Sequence, residues 1–249
     1  MDDTWALGLL LASPEVDIKL IVTASQNTTQ RAQIVAKFLT EVNRTDIPIG
    51  LGYSSDEYIG SQYNYAKDFS LSSYAGEVYM DGVSAFENTI QQYPGITVLE
   101  LAPPINFASV IDMNPDLVIE RVRVVAMGGS IYKGYFGYSG PSAEYNVATN
   151  ITASQTMYST VYDRVELLAA PLDTSLYTVI AGENYQSLVQ VQNTNNLVGS
   201  ILENYYYSSN STNHTVTNIL FDVQAAWMTF STQYLEIEEF PIIVNSEGY

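Results

Sequence analysis

The oxygen-bearing side chains that could do chemistry in this sequence fall in four places. Asp2-Asp3 precede an apolar segment. Asn27 opens Asn-Thr-Thr, and Glu144 and Asn146 stand in Pro141-Ser-Ala-Glu-Tyr-Asn. Asp222 is the lone charge in Leu-Phe-Asp-Val-Gln-Ala-Ala-Trp-Met. Such oxygens hold cations and hydroxyl groups and stabilise developing positive charge. Each residue also has a plain structural reading. Asp2, Asp3 and Asp222 suit helix N-termini, Asn27 an ordinary loop and Asn146 a turn. Other chemistries are excluded or narrowed. The chain has no cysteine, hence no disulfide, thiolate zinc site or thiol nucleophile. His214 is its single imidazole, so a Ser-His-Asp triad or an imidazole metal site would have to use it. With 27 acidic and 9 basic residues the net charge is −18, which argues against nucleic-acid binding.

The elements that must position these groups alternate between helix and strand. The patterning predicts helices over Thr4–Leu11, Thr28–Val42, Gly82–Tyr93, Asn106–Met113, Ile151–Thr160, Ser187–Tyr206 and Asn218–Phe230. It predicts strands over Val16–Thr23, Ile47–Ile49, Ile96–Leu101, Val122–Met127, Val165–Ala169 and Glu236–Val244. Segments 52–76, 130–143 and 208–217 read as loops, and Asn114-Pro115 as a helix stop. Strands separated by helices imply one α/β domain, its mainly parallel sheet covered on both faces. Ligands then sit at the carboxyl ends of strands, where the four polar groups fall. No segment is long and apolar enough to span a bilayer.

Together these residues resemble the inosine-uridine-preferring nucleoside hydrolase family. Asp2-Asp3 before an apolar helix resembles the end of its opening D-x-D-x-x-x-D-D motif. Asn43-Arg-Thr-Asp-Ile-Pro-Ile resembles its G-R-x-D-I-P-V, and Leu99-Glu-Leu-Ala-Pro-Pro-Ile-Asn-Phe-Ala its L-V-A-L-G-P-L-T-N-L-A. Met127-Gly-Gly, Pro141-Ser-Ala-Glu144-Tyr-Asn146, Leu172-Asp-Thr-Ser and Phe221-Asp222 follow in the family's order, against M-G-G, P-x-A-E-F-N, L-D-x-T and H-D-P. The resemblance implies a Rossmann-like fold over residues 1–249. It also implies calcium-assisted hydrolysis of the N-glycosidic bond of ribonucleosides, serving purine and pyrimidine salvage. Asp3, the Leu101 carbonyl and Asp222 would be the metal ligands. Asp2, Asn27, Met127, Glu144 and Asn146 would hold the ribose, with Asn146, Glu144 and Asp2 catalytic. A homo-oligomer, dimer or tetramer, is expected, with a ribonucleoside as the small-molecule partner.

Two departures from the family pattern shape further expectations. The two leading aspartates and the strand that carries them have no counterpart, so a gap in the sheet and a missing C-terminal end are expected. Two carboxylates and one carbonyl fall short of the roughly 6–8 oxygens calcium takes, so weak binding is expected. Phe221 stands where the family's proton-donating His is found, and His214 lies nearby in sequence. A relative that binds nucleosides or sugars without hydrolysing them, having lost base and acid, is therefore the alternative. Base preference is expected to depend on loops 52–76 and 203–217, with Tyr205, Tyr206 and Tyr207 as stacking or packing residues. Asn-x-Ser/Thr triplets at Asn43, Asn150, Asn210 and Asn213, without a basic leader, leave both cytoplasmic and secreted locations open.

Overall fold

The computed structural model describes residues 2–161, 164–209 and 215–249. The first half runs α1 (Asp2–Ala12), β1 (Ile21–Thr23), α2 (Thr28–Glu41), β2 (Ile49–Leu51), β3 (Val78–Tyr79), α3 (Gly82–Gln92), β4 (Ile96–Glu100) and α4 (Ile105–Met113). Then follow α5 (Pro115–Arg121), β5 (Val122–Met127), α6 (Tyr145–Thr149), α7 (Ile151–Val161), β6 (Leu167–Ala170), α8 (Leu172–Ser175), α9 (Gly182–Val191), α10 (Asn196–Ser208) and α11 (Phe221–Met228). The strands form two three-stranded parallel sheets, β1-β2-β3 and β4-β5-β6. Ile21 pairs with Ile49, Ile49 with Val78, Ile96 with Val122 and Val124 with Leu167.

The period-two alternation of β5 explains why helices cover both faces of its sheet. Val124 and Ala126 point into a core with Phe107, Val110, Val118 and Met157. Val125 and Met127 point the other way, into Ala170, Leu172, Ala225 and Met228. In the other half, Ala32, Ala36 and Leu39 of α2 recur at helical spacing and pack on Ile47, Ile49 and Leu51. α1 lacks a polar face and is accordingly buried between α11 and α10.

The parallel sheet, in which a gap was expected, is divided into two three-stranded sheets. Among the described residues β1 pairs only with β2, and β4 only with β5, and both edges line one cavity of about 810 Å³. At its carboxyl end this space is bridged by Asn106, whose Nδ2 donates to the Thr23 carbonyl at 3.1 Å and whose Oδ1 accepts from the Tyr53 N–H at 3.0 Å. Gly52 permits that bridge, because a Cβ there would collide with the Asn106 amide and the Thr23 carbonyl.

Several elements differ from the sequence reading, each for a local reason. Only Ile21–Thr23 of Val16–Thr23 enters a ladder, the rest lying along the cavity. Glu236–Val244 forms no strand. It docks on α7, where Gln155 Nε2 donates to the Val244 carbonyl at 3.1 Å. Asn114-Pro115 both ends α4 and begins α5: Asn114 Oδ1 accepts from the Leu117 N–H at 3.3 Å, and Pro115 takes the first helical position. The long helix over Ser187–Tyr206 is two helices, because Asn195 Oδ1 caps α10 through the Val198 N–H at 3.2 Å. Segment 52–76 contains two short 3-10 turns, Gly60–Tyr65 and Leu71–Ser73. Among the described residues no helix is long and apolar enough to cross a membrane.

Candidate active site

α1 and α11 pack along each other, and both begin at the carboxyl end of the cavity. Their first turns bring Asp2, Asp3 and Asp222 together, with one oxygen of each within 4.8 Å of the others. The partial positive charge of each helix start favours a carboxylate there. Asp222 is buried, Asp2 half-buried and Asp3 exposed, and three carboxylates so close together nevertheless repel. Burial, followed by the Asp2 and Asp3 carboxylates, raises Asp222 well above the usual carboxylate range, and burial raises Asp2 as well. A divalent cation would reverse that balance, and an all-oxygen donor set suits calcium. The residues present therefore fit such an ion, and they include Asp2, for which the sequence suggested a ribose-holding and catalytic role rather than a metal-binding one.

The opposite wall is the corner between β5 and α6. Glu144 is an unusual N-cap that closes on its own helix: Oε1 accepts from the Asn146 N–H at 3.0 Å and Oε2 from the Val147 N–H at 3.1 Å. Oε2 also accepts from the Gly129 N–H at 3.2 Å, tying the helix start to the strand end. Burial nevertheless raises the Glu144 carboxyl, against the lowering effect of these donors. Asn146 Nδ2 donates to the Met127 carbonyl at 3.0 Å and lies 3.3 Å from the Leu101 carbonyl. Its amide thus joins the carboxyl ends of β5 and β4. Leu101, Met127, Glu144 and Asn146 all line the cavity.

Asn27 does not join them. Its Oδ1 accepts from the Gln30 N–H at 2.9 Å as the N-cap of α2, and the residue does not line the cavity. The capping geometry turns the amide back along its own helix. Neighbouring Arg31 does reach the cavity, holding the turn through Nε to the Ser25 carbonyl at 3.0 Å and Nη2 to Gln26 Oε1 at 2.9 Å. Phe221 lines the cavity beside Asp222. Of segment 52–76 only Gln62 does so, and Tyr205, Tyr206 and Tyr207 do not. Tyr205 is buried, with its hydroxyl accepting from the Asn218 N–H at 3.0 Å, so it packs rather than stacks on a ligand. Asn43, with φ 56°, ends α2, and Asn150 Oδ1 caps α7 through the Ala153 N–H at 3.0 Å. His214 and the Asn210 and Asn213 triplets lie outside the described residues.

Two cavity residues were missed in the sequence. Tyr135 packs its ring edge-on against Phe221 at 6.3 Å, and burial pushes its phenol up to about 12. Its flanking Gly134 and Gly137 were the available signal for a tight inward turn. Asn106 lies in the Leu-Ala-Pro-Pro-Ile-Asn-Phe-Ala segment, where nothing local shows that its amide bridges to the Thr23 carbonyl and the Tyr53 N–H.

Residues 1–249 match the model of the inosine-uridine preferring nucleoside hydrolase family. The chain is 27% identical over 176 residues to the pyrimidine-specific ribonucleoside hydrolase RihA of Escherichia coli O7:K1, covering 63% of this chain and 53% of that protein. It therefore spans about half the length of the curated relatives it matches. The purine-preferring ribonucleoside hydrolase of Gardnerella vaginalis has the same fold, with TM-score 0.77 at 16% identity over 99% of this chain and 82% of that one. The inosine-uridine preferring nucleoside hydrolase of Bacillus anthracis gives TM-score 0.71 at 15% identity, over 92% and 78% of the two chains.

Proposed function

The chain belongs to the inosine-uridine preferring nucleoside hydrolase family, and from that premise we propose that its cleft hydrolyses the N-glycosidic bond of ribonucleosides with the help of calcium. The observation that carries this reading is the meeting of Asp2, Asp3 and Asp222 in a cavity that Glu144 and Asn146 also line.

Asp2, Asp3 and Asp222 would hold the ion, with the Leu101 carbonyl beside them in the same cavity. When bound, calcium supplies the charge that lowers the pKa of water and gathers hydroxyl oxygens. The Glu144–Asn146 wall receives the sugar. As the C1′–N bond breaks, its electron pair leaves on the base and positive charge spreads over the ribose ring. The fixed carboxylate of Glu144 stabilises that charge at no cost in reorganisation, because backbone donors already hold it. Water oxygen bonds to C1′, and its proton passes to a carboxylate of the aspartate cluster. Phe221 offers the departing base only a hydrocarbon ring. The departing base takes a proton from solvent and the carboxylate returns its own to solvent, so the products are ribose and free base, the material that salvage consumes.

The test is release of reducing sugar from inosine and uridine, with calcium affinity measured by calorimetry. Calcium-dependent release from at least one nucleoside is expected, with affinity weaker than about micromolar for so few protein ligands. Asp222→Asn should abolish both. Ribose binding without sugar release from any nucleoside would assign the chain to the non-hydrolysing alternative, which the presence of Phe221 in the cavity favours.

A further inference from the structure

The segment between β5 and α6 is fastened at every turn. Asp173 of α8 accepts three of its backbone N–H groups, from Ile131 and Tyr132 at 2.7 Å and from Lys133 at 3.0 Å. Ser130 Oγ donates to the Lys133 carbonyl and accepts from the Ser142 N–H, both at 2.9 Å. Gly134 lies so close to the Ser142 hydroxyl that a Cβ there would collide with it. Phe136 adopts φ 60°, ψ 14°, a left-handed conformation rare for a bulky residue, yet its own side chain is 87% exposed. Burial of Phe136 does not repay that strain.

What this frame does deliver is Tyr135, turned inward. Its hydroxyl accepts from the Tyr145 N–H at 2.9 Å and lies 3.5 Å from Glu144 Oε1. Tyr145 stands in the first turn of α6, where a backbone N–H has no acceptor within the helix. The Tyr135 ring meets Phe221 edge-on at an interplanar angle of 82°, beside Asp222. One side chain therefore touches both walls of the cleft.

We infer that Tyr135 is a positioning residue, a strut that sets the Glu144–Asn146 wall against the Phe221–Asp222 wall. Its effect on turnover rests on the hydrolase reading; the strut itself does not. Without the hydroxyl, the Tyr145 N–H loses its acceptor and Glu144 loses one of its donors. The ribose-facing wall then loosens, which weakens transition-state stabilisation more than ground-state binding.

Tyr135→Phe removes the hydroxyl and keeps the ring against Phe221. Two independent readouts test it. Amide hydrogen exchange at Tyr145 should accelerate at least tenfold. Turnover of inosine and of nitrophenyl riboside should fall by the same factor, about tenfold, in kcat, with KM within twofold. Tyr135→Leu, which loses ring and hydroxyl together, should give a larger fall in kcat. Unchanged exchange at Tyr145 in Tyr135→Phe overturns the inference. So does a loss confined to inosine, which would make Tyr135 a proton donor to the base. If the wild-type chain hydrolyses no riboside while exchange at Tyr145 still accelerates in Tyr135→Phe, the hydrolase reading fails and the strut stands.

Discussion

At the scale of the residue, the cleft has strong acceptors and few donors. Asp2, Asp3, Asp222 and Glu144 bring four carboxyl groups to it, the Arg31 guanidinium lines the same cavity, and Phe221 adds a ring that cannot donate a proton. General acid catalysis contributes about 10²–10⁴-fold, so a natural base, which leaves poorly without a proton, should suffer most from that ring. Phe221→His is expected to raise inosine turnover by on the order of tenfold or more while leaving nitrophenyl riboside turnover within about twofold. Parallel assays on the two substrates check this, and an equal response of both would show that another group already protonates the base. The Asp pair, Glu144, Asn146 and Asp222 were legible as chemistry-bearing residues only together, through their place in the ordered motifs, since caps and turns explain most of them singly. Tyr135 was not, because a tyrosine in an aperiodic loop gives no sign of which way its ring turns.

At the scale of the element, capping separates structure from function. Asn27 reads in the sequence as a ribose ligand or as an ordinary loop residue, and in the structure its Oδ1 accepts from the Gln30 N–H as a cap. Asn27→Ala should destabilise the protein by about 1 kcal/mol. Ribose affinity and turnover should stay unchanged; denaturant unfolding beside calorimetric titration with ribose checks both. A fall in ribose affinity would return Asn27 to the site. Strand β4 gives a second case. Glu100 faces the cavity between the sheets, and burial pushes its carboxyl up to about 8 from an ordinary 4.5. The folded state therefore holds a proton that the unfolded chain releases first. Its contribution is complete below pH 4.5 and lost as pH rises through about 8. The loss should be on the order of 2 kcal/mol, less than the full shift implies because water reaches the cavity. In chelator, Glu100→Gln should flatten the fall in stability between pH 5 and 8, as measured by urea unfolding at several pH values. An unchanged slope would show that Glu100 is already ionised in the fold.

At the scale of the whole molecule, the divided sheet governs local stability. β2 and β5 are central strands paired on both sides, whereas β1 and β4 leave one edge to the cavity. Hydrogen exchange should therefore show amides of Val124 and Val125 protected close to the global unfolding limit. Amides of β1 and β4 that turn toward the cavity should exchange at least tenfold faster. Uniform protection across all strands would mean that the two edges are closed in solution. Much of this architecture was legible from sequence alone. Hydrophobic period and turn residues placed most helices and strands to within a few residues, because period and capping are local properties. Ordered motifs across the chain gave the family and with it the parallel α/β fold. Composition alone excluded cysteine chemistry and argued against nucleic acid. What only the tertiary structure decided is which elements become neighbours. Periodicity tells a helix which face to bury and nothing about what it will meet there. The convergence of Asp2 and Asp3 with Asp222 from opposite ends of the chain was expected from the family resemblance, but its geometry, one oxygen of each within 4.8 Å of the others, had to be seen in three dimensions. The same holds for the turning of Asn27 back onto its own helix, the reach of Tyr135 across the cleft and the failure of Glu236–Val244 to find a strand to pair with.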